Sequence, residues 1–308
     1  MGPPRAVVIT GQTGTGKSAL ALALAARLGG EVVNADSMAL YRGFDIGTAK
    51  PTPEDMGLVP HHLFDVLEPS DHFDAKAYLT LARPIVASVW ERGKVPLVTG
   101  GTGLYLRSLT KGLFPGPGRD EAFRRGLRDL EGKGADLHGL LRQRDPVAAA
   151  RINPADRVRV ERALEVLHLT GSSITALQES HALKERPFAT LSLVVTLPKE
   201  ELEARIRERV RRMFELGLVA EVEGLLAKGH DPSLKPFQAI GYKETLAHLR
   251  GELGLDELRE RVVANTKRLA KVQRTWLRGQ LPEGVPIAPD PEEAIPLIGR
   301  FLQRGDGA

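Results

Sequence analysis

Gly11, Gln12, Thr13, Gly14, Thr15, Gly16, Lys17 and Ser18 fit the pattern G-x-x-x-x-G-K-[ST]. The chemistry of that pattern is phosphate binding. Glycines let the backbone turn so that N–H groups converge on phosphate oxygens, and a following helix N-terminus adds partial positive charge. Lys17 brings a mobile full charge and Ser18 a hydroxyl suited to Mg²⁺. The context agrees: residues 6–10 (AVVIT) read as a buried strand, and residues 17–28 (KSALALALAARL) as a helix stopped by Gly29 and Gly30. The motif specifies phosphate, not nucleotide. The loop could hold ATP in a kinase or NTPase, or the diphosphate of another donor, where it becomes the leaving group. Fold-level analogy favours the first.

Asp36 follows a second strand at residues 31–34, at the sheet edge where ligands bind in open α/β folds. It suits a general base facing the loop, a metal-holding acid, or simply an Asx turn. Thr102, after a third strand at residues 95–99 and Gly100 and Gly101, reaches the same edge or caps the helix that follows. His61 and His62 are adjacent and lack a third ligand, so they read as structural or substrate-lining.

A second chemistry is carried by cations. Lys267, Lys271, Arg274 and Arg278 recur at helical spacing and form one stripe, with Leu258, Val262, Leu269, Val272 and Trp276 expected on the buried face opposite. A solvated face normally mixes signs; this stripe has no acid after Glu260, which favours phosphate contact. Arg159 and Arg162 form a similar pair, diluted by Glu161 and Glu165, and Arg124 is a weaker addition. Trp90 and Trp276 read as core anchors.

The elements that must position these residues alternate strand and helix, which argues an α/β fold: a P-loop NTPase-like parallel sheet flanked by helices. Residues 75–92 read as a helix with a kink at Pro84. A Pro/Gly linker at residues 113–118 opens a polar helical stretch to about residue 185, and a strand returns at residues 191–197. This gives a core of residues 1–116 and 188–308 and an inserted all-helical domain of residues 117–187; beyond Pro198 the chain reads as mostly helical to about residue 279. The length of 308 residues is ample for a buried core. The absence of cysteine excludes disulfides, thiolate zinc sites and Cys nucleophiles. The net charge of +4 becomes informative through the arginine clusters. No membrane span and no secretion signal are read, so a cytoplasmic location and a monomer are expected.

The segment DSMALYRGFDIGTAKP at residues 36–51 closely resembles the DSMQVYRGMDIGTAKP segment of bacterial tRNA dimethylallyltransferases. The likeness continues through residues 60–63 (PHHL) and 100–106 (GGTGLYL). It recurs at Asp156, Arg159 and residues 162–165, at residues 240–244 (IGYKE), and at Ala270, Lys271, Gln273, Thr275 and Trp276. The resemblance implies dimethylallyl diphosphate as donor, N6 of the adenosine at tRNA position 37 as acceptor, and Mg²⁺ as cofactor. It implies Asp36 as the proton acceptor, with Thr102 and Lys17 beside it. It implies tRNA contacts from Asp36, Ser37, Met38, Ala39, Thr102, Arg124, Arg159, Arg162, Gly241, Tyr242, Lys243, Lys267, Lys271, Gln273, Arg274 and Arg278. The chain departs from the pattern at Ala39, where the family has Gln, and in TRxYAKRQ, where Leu269 replaces Tyr and Val272 replaces the second Arg. The first departure removes a partner for a base edge. A P-loop kinase and a non-catalytic RNA binder are the competing readings; the first leaves the basic ridge unused, the second leaves Lys17 and Ser18 beside Asp36 unexplained.

Overall fold

The computed structural model describes residues 3–114, 116–181 and 187–303, so Pro115 of the expected linker and the end of the expected helical stretch lie outside the described residues. Along the chain run β1 (Arg5–Gly11), α1 (Lys17–Leu28), β2 (Glu31–Asn34), α2 (Pro53–Leu58), β3 (His61–His62), α3 (Ala75–Glu91), β4 (Pro96–Gly100) and α4 (Gly103–Lys111). Next come α5 (Glu121–Gly132), α6 (Leu137–Arg144), α7 (Pro146–Arg151), α8 (Arg157–Thr170) and α9 (Ile174–His181). The chain closes with β5 (Ala189–Val195), α10 (Lys199–Glu215), α11 (Leu218–Ala227), α12 (Tyr242–Leu249), α13 (Leu255–Gln280), β6 (Val285–Ile287) and α14 (Pro291–Gln303).

The six strands form one sheet in the order β3-β2-β4-β1-β5-β6, and every pairing is parallel. Parallel strands are buried on both faces, which is why Val7, Val8 and Ile9 read as a continuous apolar run rather than an alternation. Val7, Ile9, Val32, Leu97, Leu193 and Ile287 pack against Leu20, Ala21 and Leu24 of α1 and Ile298 of α14. β1 sits centrally, so the glycine loop leaves the middle of the sheet.

Four elements lie outside the sequence expectation, the short α2 among them. β3 and β6, of two and three residues, are too short to carry a periodic signal, and α14 lies beyond the expected helical end. The helix at Pro84 continues through it. In α13 the buried face is Leu258, Val262, Val263, Thr266, Ala270 and Leu277, whereas Leu269 and Val272 are exposed. The apolar stripe is thus rotated by about a quarter turn from the expected one, because α13 packs on α10 through Ile206 and Val210.

The chain divides into two compact units, Met1–Thr110 with Arg186–Ala308, and Lys111–Glu185. The second has its own core of Leu127, Leu137, Leu141, Val160, Ala163 and Leu164. Beside it Glu165, fully buried, accepts from Arg124 Nε and Nη2 at 2.8 and 2.7 Å, from Arg162 Nη1 at 2.6 Å and from the Asp120 backbone N–H at 2.8 Å. Arg124 was expected to contact RNA; in this chain its guanidinium is committed to a bidentate internal pair. Arg162 is also partly committed, since it donates to the Pro117 carbonyl at 2.8 Å. Arg159 remains exposed.

Burial would raise the Glu165 carboxyl, but its hydrogen bonds to Arg124 and Arg162 and from the Asp120 N–H hold it down at about 2. A carboxylate depressed in the folded state contributes stability that is present above the unfolded value and lost as pH falls through the folded one. Protection of α5 and α8 amides against hydrogen exchange should therefore decline between about pH 4.5 and 2. Glu165→Gln should weaken protection at neutral pH, by about 3–5 kcal/mol for an uncompensated buried arginine, and should flatten that acid limb.

Candidate active site

The glycine loop is built as the motif requires. Gly14 and Gly16 take φ of 87° and 89°, a region open to glycine, and a side chain at Gly14 would press on Ile206. Thr15 ties the loop to itself by donating from Oγ1 to the Gln12 carbonyl at 2.8 Å. Gly16 precedes Lys17, the first residue of α1, so Lys17 and Ser18 leave the loop at a helix N-terminus.

The loop is clamped from outside by α13. Gln12 Nε2 donates to the Ala270 carbonyl at 3.0 Å, and Gln273 Oε1 accepts from the Thr13 N–H at 2.8 Å. The same Gln273 donates from Nε2 to the Gly101 carbonyl at 3.2 Å. One side chain thus joins the loop after β1 to the turn after β4. Gln273 was expected at RNA; in the free chain both ends of its amide are used internally. Trp276 lies against Gly103, where any side chain would collide with its ring.

Asp36 stands at the exit of β2, opposite the loop. Its Oδ1 accepts from the Met38 N–H at 2.9 Å and its own N–H donates to Asn34 Oδ1 at 2.8 Å. The Asx turn is therefore real, and it orients the carboxylate while leaving Oδ2 uncommitted among the described residues. Thr102 Oγ1 accepts from the Ser37 N–H at 2.9 Å and donates to Ser37 Oγ at 3.2 Å, so its hydroxyl fixes the Asp36 turn. Gly100 allows the approach: a Cβ there would strike the Ala35 backbone.

These pieces surround a cavity of about 600 Å³. Thr13, Lys17, Ser18, Asp36, Ser37, Met38, Ala39, Thr102 and Gln273 line it. Ala19, Leu22, Val32, Phe64, Met213, Ile240, Val262 and Leu269 give it an apolar lining. His61 borders it, with Nδ1 2.8 Å from the Val59 carbonyl, while His62 pairs with Glu31 at 2.7 Å.

The sequence reading missed Arg209, which also lines the cavity. The signal was present: Leu202, Ile206 and Met213 form the inward face of α10, and Arg209 falls in phase with them, unlike its charged neighbours. Burial lowers the Arg209 guanidinium, with Asp36 opposing. Burial also draws the Lys17 ammonium down to about 8, the Arg209 charge adds to the fall, and Asp36 opposes it. Two desolvated cations therefore face one carboxylate, an arrangement complementary to a multiply charged anion.

The segment after Asp36 is held by a separate core. Tyr242 is fully buried, packs its ring at a tilt against Phe44, donates to Glu221 at 2.6 Å and accepts from the Gly47 N–H at 3.1 Å. Gly241, with φ of 97°, is buried as the cap of α12. Both were expected at RNA; here Tyr242 supports the 37–51 segment, and Gly241 donates its N–H to Glu244. Lys243 is exposed, 3.7 Å from Glu244. On α13, Lys267 pairs with Glu203, whereas Lys271, Arg274 and Arg278 are exposed without an ion pair among the described residues.

No group of three or more His, Cys, Asp or Glu that could hold a metal occurs among the described residues. Ser18 and Asp36 are hard oxygen donors at an anion site, which fits a cation that retains waters and is shared with substrate phosphates, as Mg²⁺ is. No described helix is long and apolar enough to cross a membrane.

Fold and site together define a P-loop α/β protein whose phosphate loop faces a carboxylate across a cavity open to solvent on one side. The model of the IPP transferase family matches residues 39–280, and that of isopentenyl transferase matches residues 4–63. The chain belongs to the IPP transferase family. It is 50% identical over 274 residues to the tRNA dimethylallyltransferase of Geobacter sulfurreducens, covering 88% of each chain. It is 44% identical over 304 residues to tRNA dimethylallyltransferase 2 of Syntrophus aciditrophicus, covering 97% of each. The crystal structure of the full-length tRNA isopentenylpyrophosphate transferase of Bacillus halodurans matches with a TM-score of 0.71 at 37% identity, over 97% of this chain and 95% of that one. A eukaryotic dimethylallyltransferase solved acting on tRNA matches with a TM-score of 0.77 at 29% identity, over 92% and 73%.

The clamp makes a prediction. Gln273→Ala removes both of its loop contacts and should weaken pyrophosphate binding about tenfold, the worth of roughly one to two net hydrogen bonds. Titration calorimetry reads this, and circular dichroism should show the helical content unchanged.

Proposed function

We propose that this chain transfers the dimethylallyl group of dimethylallyl diphosphate to N6 of adenosine 37 of tRNA, and that it acts as a monomer. The observation that carries this is the cavity itself: a phosphate loop with Lys17 and Arg209 on one side, and the uncommitted Oδ2 of Asp36 on the other. In the reaction the bond from the allylic carbon to the diphosphate oxygen breaks and the bond from that carbon to N6 forms. The diphosphate leaves with the electron pair, and a proton passes from N6 to Asp36 Oδ2.

An aromatic amine is a weak nucleophile, so help is needed at both ends. At the donor, the loop N–H groups, Lys17 and Arg209 stabilise charge as it develops on the diphosphate. Mg²⁺, held by Ser18 and the diphosphate, would add further neutralisation of that charge. At the acceptor, Asp36 is oriented by Met38 and its turn is fixed by Thr102 and Ser37, so the base is held before substrate arrives. The apolar lining excludes water that would otherwise capture the allylic carbon.

A base stacked in the anticodon loop cannot reach groups that line a concave cavity, so the target adenosine is flipped out of the loop. Met38 and Ala39 line the cavity, and Ala39, at 3% exposure, offers no side-chain reader of a base edge. Lys271, Arg274 and Arg278 supply RNA phosphate contacts from α13, with Lys243 and Arg159 as further candidates.

Incubation with Mg²⁺, radiolabelled dimethylallyl diphosphate and unmodified tRNA with an A-rich anticodon loop should place label in the RNA. Asp36→Asn should lower kcat by about 10²–10⁴ while pyrophosphate binding persists. ATP consumption without label in the RNA would return the loop to a kinase. Replacing Lys271, Arg274 and Arg278 together by alanine should reduce the salt-dependence slope of tRNA binding by roughly two. An unchanged slope would remove α13 from the RNA interface.

A further inference from the structure

β4 brings one side chain to the cavity that neither the clamp nor the Asp36 turn uses. Thr99 is 5% exposed, lines the cavity, and its Oγ1 is buried without a hydrogen-bond partner among the described residues. Neighbouring threonines differ. Thr10 donates to the Gly100 carbonyl, Thr102 is bonded to Ser37, and Thr110 donates to the Leu106 carbonyl.

The register says which way Thr99 faces. It is the partner of Ile9 on β1 and of Asn34 on β2, and aligned residues of parallel strands share a face. That is the face on which Ile9 packs against α1, the helix that presents Lys17 and Ser18 to the cavity. Asn34 lines the cavity too, but its amide is committed to Asp36 and to the Leu63 carbonyl. Residues 96–102 contain no carboxylate, so Thr99 is the polar group that β4 offers here.

A buried hydroxyl without a partner destabilises the folded chain, and valine would fill nearly the same volume without that penalty. Where a polar atom is enclosed at a ligand cavity and left unmatched, the missing partner is expected on the ligand. We propose that Thr99 is a direct contact of the diphosphate site, its Oγ1–H donating to an oxygen of the magnesium diphosphate held by the loop. This rests on the reading of the cavity as a diphosphate site.

The test compares the full chain with Thr99→Val and Thr99→Ser, using magnesium pyrophosphate as the probe in titration calorimetry and reading the ligand-free melting temperature alongside. Thr99→Val should bind about tenfold more weakly, the worth of one hydrogen bond to a charged group, and should melt higher without ligand. Thr99→Ser should bind within about twofold of the unsubstituted chain. A purely structural hydroxyl would not move the two readouts in opposite directions. Unchanged binding in Thr99→Val overturns the proposal, and so does a lower ligand-free melting temperature, which would reveal an internal partner. If the unsubstituted chain fails to bind magnesium pyrophosphate, the diphosphate reading itself falls and this contact with it.

Discussion

The repulsion between Lys17 and Arg209, relieved in part by Asp36, is the constraint on which the rest of the site depends. Each cation is partly buried at the cavity, and that burial lowers both. A lone desolvated charge disfavours its own ionised form; a second charge of the same sign deepens that cost. Asp36 offsets part of it, being the Coulombic partner that raises both. The free protein therefore holds an unbalanced positive site, and a diphosphate is the ligand chemistry that balances it while leaving Asp36 free for proton transfer.

Holding such a site together requires bracing, and the bracing is made by amides and hydroxyls rather than by charges. Gln12 and Gln273 tie the loop to α13, and Gln273 reaches on to the turn after β4. Thr102 carries the connection to Ser37, next to Asp36. Loop, strand exit and base thus form a single hydrogen-bonded frame. Neutral polar groups suit this task because they fix geometry without adding to the charge already present.

Much of this was legible in the sequence, and the exceptions have physical causes. The glycine loop, Asp36 and the order of strands and helices could be read because each is local: turn chemistry, an acid after a strand, and periodicity. β3 and β6 could not, since two or three residues carry no period. Arg209 was hidden in a run of arginines whose phase matters more than their number. Arg124 and Gln273 were expected at RNA from the resemblance, which carries no packing; tertiary structure supplies Glu165 for one and the Thr13 and Gly101 backbone for the other. Tyr242 shows the same limit: its motif marks the site's vicinity, while the structure puts its ring against Phe44 and its hydroxyl at Gly47. The buried face of α13 was misjudged because Leu269 and Val272 are apolar yet exposed, Leu269 at the cavity.

An unbalanced positive site is built into the free protein, and diphosphate satisfies it. The most direct measurement is the melting temperature of Arg209→Met with and without magnesium pyrophosphate, against the unsubstituted chain. Removing one of two mutually repelling, desolvated cations should raise the ligand-free melting temperature and abolish most of the stabilisation by pyrophosphate. A variant that melts lower without ligand and is still stabilised fully by pyrophosphate would contradict the account.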